Sequence, residues 1–453
     1  MHANPMLVVA KDVRVNVTEP ADLALDCQHD TLPDERHRMT GSGSVRKFSV
    51  AGLLAASHYD CVLTATADSR EASVGFGFDT DPLPDGLPDL INTVAPGFSP
   101  TGYTLMNSFN ELPPLVDITA LAVDPEGRVR WYWFVAAGGG GGLDVSLSAT
   151  GDILFGGGNN VPPTLMTPSS VVSWRAPSQP SIGDTYHHHA QELPSGEIVS
   201  LTDADNEADG DTWLGFGVEI IDPASGEQTW SWSSQTGVDR GQLFIPGVNI
   251  VDPYHANSVA ILEDDLGPAA WISLAFADRI IRVDRATGDI THTLGQRGNL
   301  PLRAIPGGFL LNPDQWFYGQ HDPEFDWPRM IVHDNGYGRP GLANYSRVLE
   351  LEIDLVAEEA LLVWSWSEDG WYEPLMGDAD RLEGGNILIS RGRCWDFCPV
   401  GEGDRASNIT EISPAGEALW RLDFGDRQGV YRSERVDGCA LFNNVAYCPE
   451  LAD

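Results

Sequence analysis

At 453 residues, 42% hydrophobic and 21% charged, the chain is too long for one average domain and apolar enough to bury a substantial core, which excludes a disordered protein. Its 66 acidic against 27 basic residues give a formal charge of −39, and Lys11 and Lys47 are the only lysines, so the surface repels nucleic acid and anionic membrane. No stretch approaches the roughly 18 to 20 apolar residues of a membrane span, and the start MHANPMLVVAKD lacks the basic region and apolar run of a signal peptide, so none is expected here.

In chain order, residues 1–100 carry alternating stretches such as VRVNVTEPADLALDC and HYDCVLTATAD between turn-rich segments, the pattern of a small immunoglobulin-like β-sandwich. The segment from Asp79 to Gly102 is dense in Pro, Gly and Asp and reads as a linker. Six cysteines fall as Cys27 and Cys61, Cys394 and Cys398, and Cys439 and Cys448. Local disulfide pairs fit this spacing better than a zinc site, and they imply an oxidising, periplasmic or secreted setting.

Residues 101–453 are expected to form a six-bladed β-propeller. One repeated component is a hairpin whose second strand ends in Trp: VDPEGRVRWYW at 123–133, IDPASGEQTWSW at 221–232 and SPAGEALWRL at 413–422. The other is an alternating strand, a turn and an apolar strand, clearest in HHHAQELPSGEIVSLT at 187–202. Two hairpins make a four-stranded blade, and five blades are readable at about 143–177, 187–234, 255–295, 320–367 and 377–424. The sixth is assembled from the two ends of this region, with 439–448 as inner and 116–134 as outer strands, which removes open sheet edges. Trp131, Trp133, Trp230, Trp232, Trp364 and Trp366 recur on outer strands and read as packing between blades.

Three of the eleven histidines fall at matching places in successive blades: His188, His255 and His321, 67 and 66 residues apart. Because blades are related by rotation about the channel axis, these side chains are expected to converge there. Two chemistries suit them. One imidazole can accept a transferred group while another handles a proton, or all three can ligate zinc or another transition metal with a position left open.

HHHAQELPSGEI, YHANSVAIL with WISLAFADRIIRVDRATGDI, QHDPEF with HDNG at 333–336, and SNITEISPAGEALWRL resemble the bacterial arylsulfotransferase family. The resemblance covers nearly the whole chain and implies a β-sandwich ahead of a six-bladed propeller. It further implies ping-pong sulfuryl transfer between small phenolic molecules without a nucleotide cofactor. His321 would be transiently sulfated, His188 and His255 would bind or protonate the reacting oxygens, and Asn257 would assist. One position departs from the family pattern: where a Ser-x-Arg segment supplies a sulfate-clamping guanidinium, this chain has Ser273-Leu274-Ala275. Arg391, at the end of an expected inner strand, is the candidate replacement.

Two alternatives remain open: a His-ligated metal-dependent hydrolase, lyase or oxidoreductase on the same scaffold, and a non-catalytic propeller that binds a small molecule. Asp205, Glu207 and Asp209 before Gly210 approximate part of a calcium loop but lack its bidentate Glu, so a solvated acidic loop is the better reading. The run AAGGGGGL at 136–143 lacks the Lys and Ser/Thr of a phosphate loop and reads as a flexible connection.

Overall fold

The computed structural model describes residues 2–3, 7–110, 117–135, 143–158, 161–247, 250–341, 344–392, 407–425, 428–448 and 451. The Gly-rich run at 136–142 and the Cys394–Cys398 pair lie outside the described residues. The other two expected disulfides are formed, Cys27–Cys61 and Cys439–Cys448.

The protein is all-β, and among the described residues helix is confined to short segments of three to six residues. Near the N-terminus, His2–Ala3, Ala10–His29, Arg36–Ala51, His58–Ala67 and Arg70–Asp79 are connected by antiparallel pairing. The long strand Ala10–His29 is continuous through a register shift between Asn16 and Ala21. It pairs with Arg36–Ala51 on both sides of that shift. Its alternation buries Val13, Val15, Leu23, Leu25 and Cys27 on one face, with Tyr59 and Phe78 from neighbouring strands.

Six further sheets follow, each with a run of four antiparallel strands. Five run consecutively over 144–175, 185–233, 256–294, 321–366 and 378–424, close to the boundaries the repeats predict. The sixth is built from both ends of the region, with its outer strands close to the expected 116–134 but its inner strands not from 439–448. Its first strand is Gln428–Val436, followed by Tyr103–Asn110, Asp117–Val123 and Val129–Val135. Residues 439–448 hold instead the turn Gly438–Leu441 and a disulfide. Within the expected linker, Leu90–Val94 pairs with Ala418–Phe424 as an extra outer strand of the fifth sheet.

The first strands Asp144–Leu147, Thr185–Glu192, Ala256–Asp264, His321–Asp326, Asp378–Arg381 and Gln428–Val436 touch one another in a closed ring. Four of them lose ladder register at the same level, at 187–190, 256–258, 321–324 and 430–433. His188, His255 and Asp322 take positive φ there, at 58°, 47° and 44°, a conformation that non-glycine residues keep only where their surroundings impose it.

Tryptophans stitch neighbouring sheets together. Nε1 of Trp232 donates to the Gly288 carbonyl at 2.9 Å, that of Trp366 to Gly416 at 3.2 Å and that of Trp420 to Pro125 at 3.0 Å, each acceptor lying in a hairpin turn of the next sheet. The acidic segment at 203–211 is neither a loop nor a cradle. Its residues continue the strands Ile198–Ala208 and Asp211–Ile221, and Asp209 and Gly210 make the positive-φ turn between them.

Candidate functional site

The broken register carries side chains out of their ladders and toward the ring's axis. The His188 ring meets that of His255 edge-on, centroids 4.9 Å apart, and lies 5.8 Å from Tyr431, whose ring in turn lies 6.3 Å from His321. The three expected histidines are therefore gathered around a tyrosine that the sequence did not single out. Their register differs from the one predicted. The last ladder pairs before the gap fall at His187 and at His321, and the positive-φ residues are His188, His255 and Asp322. His321 thus matches His187, and Asp322 holds the place equivalent to His188.

Each imidazole is differently held. The buried His321 lies with Nδ1 2.8 Å from Asn335 Oδ1, and its Nε2 accepts the Met376 N–H at 3.2 Å. Asn335 gives both amide hydrogens to the carbonyls of Glu373 and Met376, so its Oδ1 accepts and Nδ1 of His321 carries the proton. Burial brings the His321 pKa down to about 3, so the ring is neutral with a lone pair on Nε2. Burial and then His255, His187 and His321 hold His188 well below the usual range. Its Nδ1 is 2.7 Å from His187 Nδ1.

His255 is the more open of the set and is braced on two sides. Its ring stacks on Phe276 at 4.4 Å, and Nδ1 lies 2.6 Å from Asp252 Oδ2, while Asp252 Oδ1 accepts the His255 backbone N–H at 2.9 Å. Burial pushes the Asp252 carboxyl up, but the hydrogen bonds and charge of His255 outweigh it and leave it below its usual range. An Asp–His pair of this kind fixes the tautomer and leaves Nε2 for a substrate. Asn257 is fully buried, donates Nδ2–H to the Gln320 carbonyl at 2.8 Å, and keeps an Oδ1 without a partner.

Arg391 does not supply the missing guanidinium. It sits on the second strand of its sheet, Ile387–Arg391, pairs with Glu368 at 2.7 Å and covers Trp371 at 4.4 Å. Ala275 is buried in the turn beneath Phe276. The arginine at the cluster is Arg432, next to Tyr431 on the closing strand. It reaches Asp144 at 2.8 Å, His189 Nδ1 at 2.9 Å, the Asn257 carbonyl at 2.6 Å and Asp322 at 2.8 Å, so one guanidinium ties together four other sheets. Nothing in its segment QGVYRSERV carries the repeat signature, which is why sequence reasoning passed over it.

As for the metal-ligand reading, no group of three or more His, Cys, Asp or Glu among the described residues is arranged to hold a metal ion. Both ring nitrogens of His321 and Nδ1 of His255 already face protein groups.

Fold and site together define the class: an all-β protein of repeated four-stranded sheets whose chemistry-bearing side chains come from the first strands of neighbouring sheets. The chain belongs to the arylsulfotransferase family, whose model, Arylsulfotransferase (ASST), matches residues 103–432. No curated protein matches it. Among solved structures, it is similar to Kuenenia stuttgartiensis hydrazine synthase at 12% identity and TM-score 0.35, over 60% of this chain and 64% of that one. It is also similar to a quinonprotein alcohol dehydrogenase-like protein of Bacteroides thetaiotaomicron at 9% identity and TM-score 0.33, over 95% and 96% of the chains. A functionally unknown protein from Desulfotomaculum acetoxidans gives 12% identity and TM-score 0.36, over 69% and 94%.

Proposed function

We propose that the six sheets are the blades of a β-propeller and that the histidine cluster on its axis transfers a sulfuryl group between small phenolic molecules. Family membership supports the reaction class, and the observation that carries the mechanism is the neutral His321 with its lone pair on Nε2. In this reading Nε2 attacks the sulfur of an aryl sulfate. The N–S bond forms as the S–O bond to the ring breaks, and the departing phenolic oxygen takes a proton from His255. The acceptor phenol then gives its proton to His255 as its oxygen attacks the sulfur, and His321 is released unchanged. The Asp252 carboxylate stabilises the imidazolium that His255 is before the first step and becomes again after the second. His188, neutral, hydrogen bonds to the group in transit, and the Asn257 side chain assists. The Met376 N–H, at the long end of hydrogen-bond range, turns from Nε2 to an oxygen of the arriving group. Phe276 and Phe244, both exposed, offer aromatic faces to an aryl ring.

The charge of Arg432 is already balanced by Asp144 and Asp322, and position 275 is alanine. Loss of one such donor costs about 10² to 10³ in rate, so turnover of an aryl sulfate is expected to be slow. The test is release of a chromophoric phenol from an aryl sulfate in the presence of a second phenol. Wild type should show turnover and a sulfated His321 in quenched protein, and His321→Ala should show neither. Equal turnover by His321→Ala would remove the nucleophile assignment.

A further inference from the structure

Along each first strand, the residues that follow the histidine cluster line a cavity of about 550 Å³. Asp322, Glu324, Asp378, Asp380 and Glu434 all face it. The three arginines on its wall are engaged: Arg432 with Asp144 and Asp322, Arg381 with Glu350 and Arg435 with Glu411. Apart from Asp322, which Arg432 holds, the carboxyls have one another as neighbours, and burial with mutual repulsion pushes Glu324 up to about 8 and Asp378 and Glu434 up to about 7.

The carboxyls are arranged as two tiers. Asp322 meets Asp378, and Glu324 meets Asp380. On each strand the two acids are two residues apart, so the second pair follows the first along the channel. Donors are also missing from the wall. Asp378 Oδ1 and the hydroxyl of Ser258, on residues 3% and 2% exposed, are buried without a hydrogen-bond partner. The space suits a ligand of several atoms, and no set of ligands for a single metal ion occurs among the described residues. The net charge of −39 draws cations toward the channel.

We propose that this half of the channel binds a short aliphatic diamine or polyamine, with one ammonium on the Asp322–Asp378 pair and the next on the Glu324–Asp380 pair. Ser258 and Asp378 Oδ1 accept from the ammonium nearer the arginine. Binding displaces protons that the carboxyls otherwise share. The site is distinct from the histidine cluster and stands whether or not sulfuryl transfer does.

The experiment is calorimetric titration of the full chain with butane-1,4-diamine at pH 7 and low salt, in buffers of different ionisation enthalpy. One-to-one saturable binding with proton release is expected, along with a higher melting temperature. Glu324→Gln/Asp380→Asn should weaken binding at least tenfold while still melting cooperatively, and His321→Ala should bind as wild type does. Absence of saturable binding, or affinity unchanged in the double variant, overturns the proposal. So does butylamine binding as tightly as the diamine, because the two tiers would then play no part.

Discussion

Asp252 and His255 are joined by both backbone and side chain, which makes the carboxylate a positioning residue. Asp252→Asn should lower kcat for sulfuryl transfer within the roughly 10²- to 10⁴-fold that general acid–base catalysis supplies, with KM nearly unchanged. Steady-state kinetics on an aryl sulfate would separate this from a structural role, which would move KM or the melting temperature instead. Arg432 behaves differently because its partners are buried. Arg432→Met leaves Asp144 and Asp322 without a counter-charge and is expected to destabilise the fold by about 3 to 5 kcal/mol in urea unfolding. Adding Asp322→Asn should restore part of the loss, and a double variant no more stable than the single would sink the account.

At the scale of strands and sheets, the Trp-to-turn bonds couple the second sheet to the third, the fourth to the fifth and the fifth to the sixth. Gly416 has φ 86°, and a Cβ there would come within 2.7 Å of the Trp366 ring. Gly416→Ala therefore combines backbone strain with displacement of the indole, and a loss of about 2 kcal/mol or more is expected in urea unfolding. These hairpins were also what made the repeats legible, since a turn glycine and a following Trp recur at fixed places. The sheets without that signature were harder to read. The closing strand Gln428–Val436 has neither turn nor Trp, so its place was given to 439–448, and Arg432 went with it. The N-terminal alternation showed strands but not their lengths, because one long strand and two short ones share one burial pattern. The histidines were visible through their spacing. The one-residue offset of His321 was not, because it depends on where the ladder breaks.

For the molecule as a whole, stability should peak between two opposed titrations. Asp378 keeps its proton up to about 7 when folded, against an ordinary carboxyl value of 3.8 when unfolded. In that window the native state holds the extra proton, and stability falls as pH rises, by up to about 1.4 kcal/mol per unit. Asp378→Asn should be more stable than wild type at pH 8 and no more stable at pH 4, as read from melting curves. His321 works in the opposite sense. Its folded value of about 3 against 6.5 unfolded gives stability that is present above 6.5 and lost as pH falls through 3. Melting temperatures that rise steadily from pH 4 to 9 would contradict this pairing.

The N-terminal sheet is fastened to this body by Arg130, which is fully buried and reaches Glu35 at 2.7 Å and Asp124 at 2.6 Å. The closing strand has a different importance, which concerns the order in which the chain is made. The first five sheets and every histidine of the cluster are synthesised before Tyr431 and Arg432 emerge from the ribosome. A nascent chain can therefore hold all its imidazoles and still lack both the ring they surround and the cation that ties their strands together. Assembly of the cluster is deferred until the ring shuts, so the strand Gln428–Val436 completes the site only after the other five first strands have been made.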